Sequence, residues 1–241
     1  MNKLCYILFF LTFSANGFAQ SADTIYYKGD LQTRVKTPAT FDFYSIGSCN
    51  DNCLLTYYRS NHTEFGKFPA HRNRREGEGV FYHENGEISR KGNFRKDKPI
   101  GTHDYFDVTA IYVRSEIYNR SGKIIAEYYK TASGKKVYTV CNELSSFGQS
   151  RNETKAFMQM GVFIDENLVR TEISKELDEA VVTVAFLIAP DGSLEEVEIV
   201  QSVHTKLNAE VLSVMKKMPK WRPAKFKRKA VYSEFSITVN F

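Results

Sequence analysis

Between residues 77 and 106 the chain reads GEGVFYHENGEISRKGNFRKDKPIGTHDYF. A short aromatic run, Val80–Tyr82, enters Glu84-Asn85-Gly86, and a second run, Glu87–Asn93, leaves it. Asn-Gly between two short runs predicts a hairpin, because both turn positions favour positive φ. A loop holding Asp97, Pro99 and Gly101 then leads to another aromatic pair, Tyr105-Phe106. The marks recur: Gly101 follows Gly79 by 22 residues, and Tyr105 follows Tyr82 by 23. NRSGKIIAEYY, residues 119–129, repeats the turn and the strand. A period in the low twenties predicts stacked hairpins, each too thin to bury a face alone. With TIYYKGDL and LLTYYRSN as earlier strands, residues 20–130 read as a mainly β array. Aromatics make up 14% of the chain, with 18 Phe and 14 Tyr, which suits cross-strand packing.

Gly79, Phe81-Tyr82, Asn85-Gly86, Gly92, Gly101 and Tyr105-Phe106 resemble the signature of degenerate MORN repeats, of the kind found in bacterial antitoxin-like repeat proteins. The resemblance covers residues 24–130. It implies a hairpin-repeat scaffold, and the motif does not fix a ligand.

Residues 131–154 form the boundary, with a strand-like KKVYTVCNE and a polar LSSFGQSRN. Beyond it the pattern changes. Phe157, Met160, Ile164 and Leu168 share one helical face. EAVVTVAFLIAPDGSLEEVEIVQ predicts two strands around Pro190-Asp191-Gly192-Ser193. Val181–Ile188 is apolar on both faces and so belongs in the middle of a sheet. In the second strand Glu196 and Glu198 face water, and Val197 and Ile199 face inward. SVHTKLNAEVLSVMKK predicts a helix capped by Ser202 or Thr205, with Leu207, Val211, Val214, Met215 and Met218 on its buried side. Lys216 and Lys217 suit its last turn. In the closing strand Val231, Phe235, Ile237, Val239 and Phe241 share one face, interrupted only by Ser233. Tyr232, Glu234, Ser236, Thr238 and Asn240 share the other. Alternation of this kind predicts one buried and one wet face.

The order is therefore strand, strand, helix, strand. NAEVLSVMKKMPKWRPAKFKRKAVYSEFSITVNF resembles the C-terminal domain of TonB-family proteins: a helix ending in Met-Pro-x-Trp-x-Pro, a basic loop, then a strand ending in an aromatic. Met218, Pro219, Trp221, Pro223, Val231, Ile237 and Phe241 fit that pattern. The hairpin VAFLIAPDGSLEEVEI and the short helix around FIDENL extend the resemblance to residues 155–241. Three positions depart from it: Ala224 and Arg228-Lys229 stand where the family often has glycine or glycine-lysine, and glycine is missing near Ala180. The implied fold is α+β, a small antiparallel sheet domain after a hairpin-repeat region.

The resemblance also implies how a partner is captured. An extended segment, such as one from an outer-membrane TonB-dependent receptor, adds to an open sheet edge as a strand. The expected edge is Val231–Phe241, flanked by Tyr232, Glu234, Ser236 and Thr238. An exposed edge can equally pair with a second copy, giving a homodimer.

Trp221 stands between Pro219 and Pro223 in a stretch with eight basic residues from Lys216 to Lys229. Pro219 stops the helix, Pro223 stiffens the crossing, and the indole is expected over the core edge with its N–H outward. The cations read as a solvated rim. A second reading makes Lys225, Lys227 and Arg228 a contact for an anionic envelope surface such as peptidoglycan. The formal net charge is +5, and a nucleic-acid partner is not expected.

MNKLCYILFFLTFSANGFAQ has one early cation, Lys3, an apolar run Leu4–Phe13, and Gly17-Phe18-Ala19. It reads as a secretory signal cut after Ala19, the alternative being an uncleaved anchor. The apolar run is about half the roughly 20 residues a span needs. Cleavage would remove Lys3 alone among the charges, leaving +4, and would place the chain in the periplasm or envelope. A cleaved chain cannot itself transmit force from the inner membrane. Retention of the segment would permit direct energy transduction.

In an oxidising compartment Cys49 and Cys53 can close a tight disulfide, although Cys141 could pair with either. The spacing of Cys49, Cys53, His62 and His71 misses the compact zinc pattern. His83, His103 and His204 read as solvated surface. Glu195, Glu196 and Glu198 read as the wet side of a hairpin. No catalytic motif is present, and no enzyme, cofactor or metal site is expected.

Overall fold

A computed structural model of the chain describes residues 24–29, 31, 33–35, 41–46, 49–170 and 180–241. The expected signal, residues 1–19, lies outside them. The described elements are β1 (Thr24–Tyr27), β2 (Arg34–Val35), β3 (Phe43–Ile46), β4 (Asn52–Arg59), β5 (Glu64–His71), β6 (Arg74–Arg75), β7 (Gly77–Tyr82), β8 (Ile88–Arg95), β9 (Lys98–Phe106), β10 (Tyr112–Tyr118), β11 (Ile124–Lys130), β12 (Lys136–Val140), α1 (Glu153–Asn167), β13 (Val181–Ile188), β14 (Leu194–Ser202), α2 (Thr205–Lys217), β15 (Ala224–Phe226) and β16 (Lys229–Asn240). The architecture is α+β. One sheet runs β14-β13-β16-β12-β11-β10-β9-β8-β7-β5-β4-β3-β1-β2, with β15 on β16 and β6 on β5.

Its hairpin ends follow a period. Turns opening at Arg59, His83, Asp107 and Thr131 each come 24 residues after the last, and each closes by an amide from its fourth residue to the carbonyl of its first. The fourth residues, His62, Gly86, Ala110 and Gly134, all have positive φ. Side chains from these turns reach the next hairpin: Arg59 donates to the Tyr82 carbonyl, and His83 Nε2 lies 3.0 Å from the Phe106 carbonyl.

Over one face of this array runs a ladder of rings. Phe68, fully buried, meets Tyr57, Phe81 and Phe94 edge-on. Arg75 lies against Phe68 and Phe94 and donates to Asp97 at 3.3 Å. Cations over ring faces supply attraction that a single-layer sheet cannot gain from aliphatic packing. His103 extends the ladder. It is fully buried rather than solvated, because it crosses Gly92 on the neighbouring strand, where an added Cβ would stand 2.3 Å from the imidazole. Nδ1 accepts from Arg90 Nε at 3.1 Å and Nε2 donates to the Asn93 carbonyl at 2.9 Å, which fixes a neutral ring.

At the other end β13 lies between β14 and β16, antiparallel to both. Val182, Val184, Phe186 and Ile188 of β13 share a core with Ile237 and Val239 of β16, Leu207, Val211 and Met215 of α2, and Ala156 and Met160 of α1. The apolar stripe of α2 is as its spacing predicts. Its cap is neither Ser202 nor Thr205 but His204, whose ring accepts from the Lys206 amide. On α1, Met160 is buried and Ile164 and Leu168 pack against the core as their spacing predicts, but Phe157 is 69% exposed and Ala156 is buried in its place.

The two ends meet at β12, inside the stretch expected as a boundary. β12 pairs in parallel with β16 through Val137↔Tyr232 and Tyr138↔Ser233. Lys135 reinforces the contact with Glu195 and Glu196, both at 2.7 Å. The closing strand is therefore not open along its whole length, as the sequence led one to expect. Its outer edge is covered at Tyr232 and Ser233 by the chain's own β12.

Candidate functional site

After Tyr138 the chain leaves β16, and the amides of Asn142 and Glu143 donate to the Lys225 carbonyl instead. Among the described residues only β13 pairs with Glu234–Asn240, so the outer edge of that half is open. Beside it lies a groove of about 790 Å³ between β16, the end of β12, the 144–147 segment and the first turns of α1. Met160, Phe235, Trp221 and the exposed Phe157 and Leu144 give it an apolar lining. Among the described residues, Glu153 and Glu234 are the charged residues in its wall, and no Lys, Arg or His lines it.

Trp221 closes the inner end. Its ring centroid lies 5.0 Å from Phe235, 5.4 Å from Phe186 and 5.5 Å from Phe147. Its amide donates to the Gly192 carbonyl at 2.8 Å, which ties the Trp-Pro crossing to the β13–β14 turn. The indole is 1% exposed, and its N–H is buried without an acceptor rather than turned outward. Ser233 Oγ, also on the groove, is a second buried polar atom without a partner.

The wet-face residues of β16 are divided. Tyr232 sits in the paired half, 3.5 Å from Glu195 through its hydroxyl and under the Lys135 ammonium. Glu234 begins the open half and accepts from Tyr129 of β11 at 3.0 Å. Ser236 is exposed, and Thr238 shares a 3.0 Å hydrogen bond with Thr183. Burial and the bond to Glu234 push the Tyr129 phenol up to about 12.

The basic residues lie around the β15–β16 turn. Lys225 lies 4.0 Å from Glu143, Lys227 stacks over Phe226, and Arg228 occupies the positive-φ turn before β16. Met218 and Pro219 follow α2, and Pro223 precedes β15. Cys49 and Cys53 are joined by a disulfide and Cys141 is free. Among the described residues no cluster of His, Cys, Asp or Glu could hold a metal ion, and no helix is long and apolar enough to cross a membrane.

Sequence reasoning found the strand but not the groove beside it. Leu144, Glu153 and Phe157 reach it from a boundary segment and from a helix face assigned to the core. The usable signal was Phe157, which stands one residue off the Ala156–Met160 spacing.

Residues 174–241 match the family described as the Gram-negative bacterial TonB protein C-terminal. No curated protein matches the chain.

Proposed function

From a C-terminal unit that is a TonB-type domain, we propose that this chain is a non-enzymatic cell-envelope protein of TonB-dependent transport that captures an extended segment of a partner protein. The segment adds as a strand to Glu234–Asn240, beyond the point where β12 ends. The observation that carries the reading is that unpaired half-edge, in register with a central strand and adjoining a groove. Each backbone hydrogen bond gained there contributes roughly 0.5–1.5 kcal/mol net. A handful of them, with side chains seated in the groove, gives a reversible complex. In this reading residues 20–130 are a MORN-like scaffold, 131–154 link it to a recognition domain at 155–241, and the protein works in the periplasm after export.

Photoreactive residues at Ser236 and Tyr232 in intact cells test it. Ser236 should capture an outer-membrane receptor. Tyr232, beside β12, should cross-link weakly or within the chain. Capture of a second copy at Ser236, or of nothing, would reject a receptor as the partner.

A further inference from the structure

The groove has a charge character that the rest of the chain does not share. The protein carries a formal +5, yet among the described residues the groove lining holds two carboxylates and no cation, the Arg222 guanidinium lying behind it on Ser146 and Leu144. Among the described residues Glu234 accepts from the Tyr129 hydroxyl and not from a cation. Glu153 lies in the first turn of α1, where the helix dipole favours its charge. Glu234 begins the open half of β16, its bond from Tyr129 being 3.0 Å long. Between them the floor is apolar, and it holds the two buried, unpartnered polar atoms, Trp221 Nε1 and Ser233 Oγ.

We propose that this groove selects a basic extended peptide: a segment with one large apolar side chain seated against Trp221 and Phe157, and a lysine or arginine beside it facing Glu153 and Glu234. The inference rests on strand addition to β16 and adds the chemistry of what is added. Alternate residues of an added strand point to one side, so an apolar anchor can enter the groove while the main chain pairs with the edge. The flanking cation then meets a carboxylate on either wall. The occupant is a partner segment rather than a second copy of this chain's edge, because β16 would bring its own Glu234 against these two carboxylates.

The full-length chain is panned against a random octapeptide library and the winning peptides are resynthesised. Trp221 is the chain's only tryptophan, so its emission and its single indole N–H resonance report the groove, while the amides of Glu234–Asn240 report the edge. Winners should carry Lys or Arg next to Leu, Phe or Met, move both reporters, and weaken at least tenfold when the cation becomes Glu. The double variant E153Q/E234Q should abolish that preference while the apolar peptide still binds. Acidic or charge-indifferent winners that protect the edge amides would overturn the charge selection and leave strand addition standing. Peptides that move the indole without protecting the edge, or an absence of winners, would overturn both. Edge shifts that grow with protein concentration alone would assign the edge to a second copy.

Discussion

Gly192 and Trp221 are locked backbone to backbone. The Trp221 amide donates to the Gly192 carbonyl at 2.8 Å, and a Cβ added at Gly192 would stand 2.1 Å from the Trp221 carbonyl oxygen. Gly192 also has φ +84. Neither clash partner is a flexible side-chain end, so G192A must displace the Trp-Pro crossing. We expect a loss of more than about 2 kcal/mol in urea unfolding followed by tryptophan emission. Gly134→Ala, at φ +83 with open space around it, should cost only about 1 kcal/mol. Equal losses would mean the crossing yields freely.

His103 predicts an acid limb of stability. Burial, and then the Arg90 charge, lower its pKa to about 4, against weaker upward pulls from the Asn93 carbonyl and Glu116. Unfolding releases the ring to its ordinary value near 6.5, so between these pH values the unfolded chain binds a proton that the folded one does not. Stability is fully present above pH 6.5 and falls as pH drops towards 4, by up to about 3 kcal/mol. The His103 ring resonance should remain neutral at pH 5. A ring that titrates near 6.5 in the folded protein would refute this.

The β12–β16 junction can be cut at Val137, which is fully buried and faces Tyr232. Val137→Asp buries an unpaired carboxylate at the seam. Amides of Tyr232 and Ser233 should then exchange faster, while those of Val182–Val184, on the far side of β16, keep their protection. Uniform loss across β13 would show that the two ends unfold as one unit.

Phe157 separates the groove from the core. It is 69% exposed, so Phe157→Ser should change stability by no more than about 0.5 kcal/mol and still weaken capture of any segment seated there by several-fold. A variant that binds as tightly as the parent would remove Phe157 from the site.

What could be read from the sequence was the part fixed by neighbours along the chain. Asp191-Gly192-Ser193 closes its turn through the Asp191 carboxylate, which accepts from the Ser193 amide at 2.9 Å. The alternation in β16 likewise put Ile237 and Val239 inside and Ser236 and Thr238 outside. The parallel seam had no such signal, because Val137 and Tyr232 are remote in sequence and two register pairs leave no periodic trace. His103 could have been inferred: a histidine crossing a strand glycine in an aromatic repeat occupies the place of a ring. The orphan N–H of Trp221 could not, since nothing in the Pro-x-Trp-x-Pro string says which groups fill the space around an indole.

The parallel seam also bears on how the molecule would carry a load. A segment zipped along Glu234–Asn240 and drawn lengthwise would slide against β16, so its hydrogen bonds would be stressed together in shear. β16 is in turn held by β13 over eight register pairs, whereas the repeat array hangs on it by two. A load taken up along that edge would therefore pass into β13 and the core behind it over a longer seam than the one that leads to the hairpin stack.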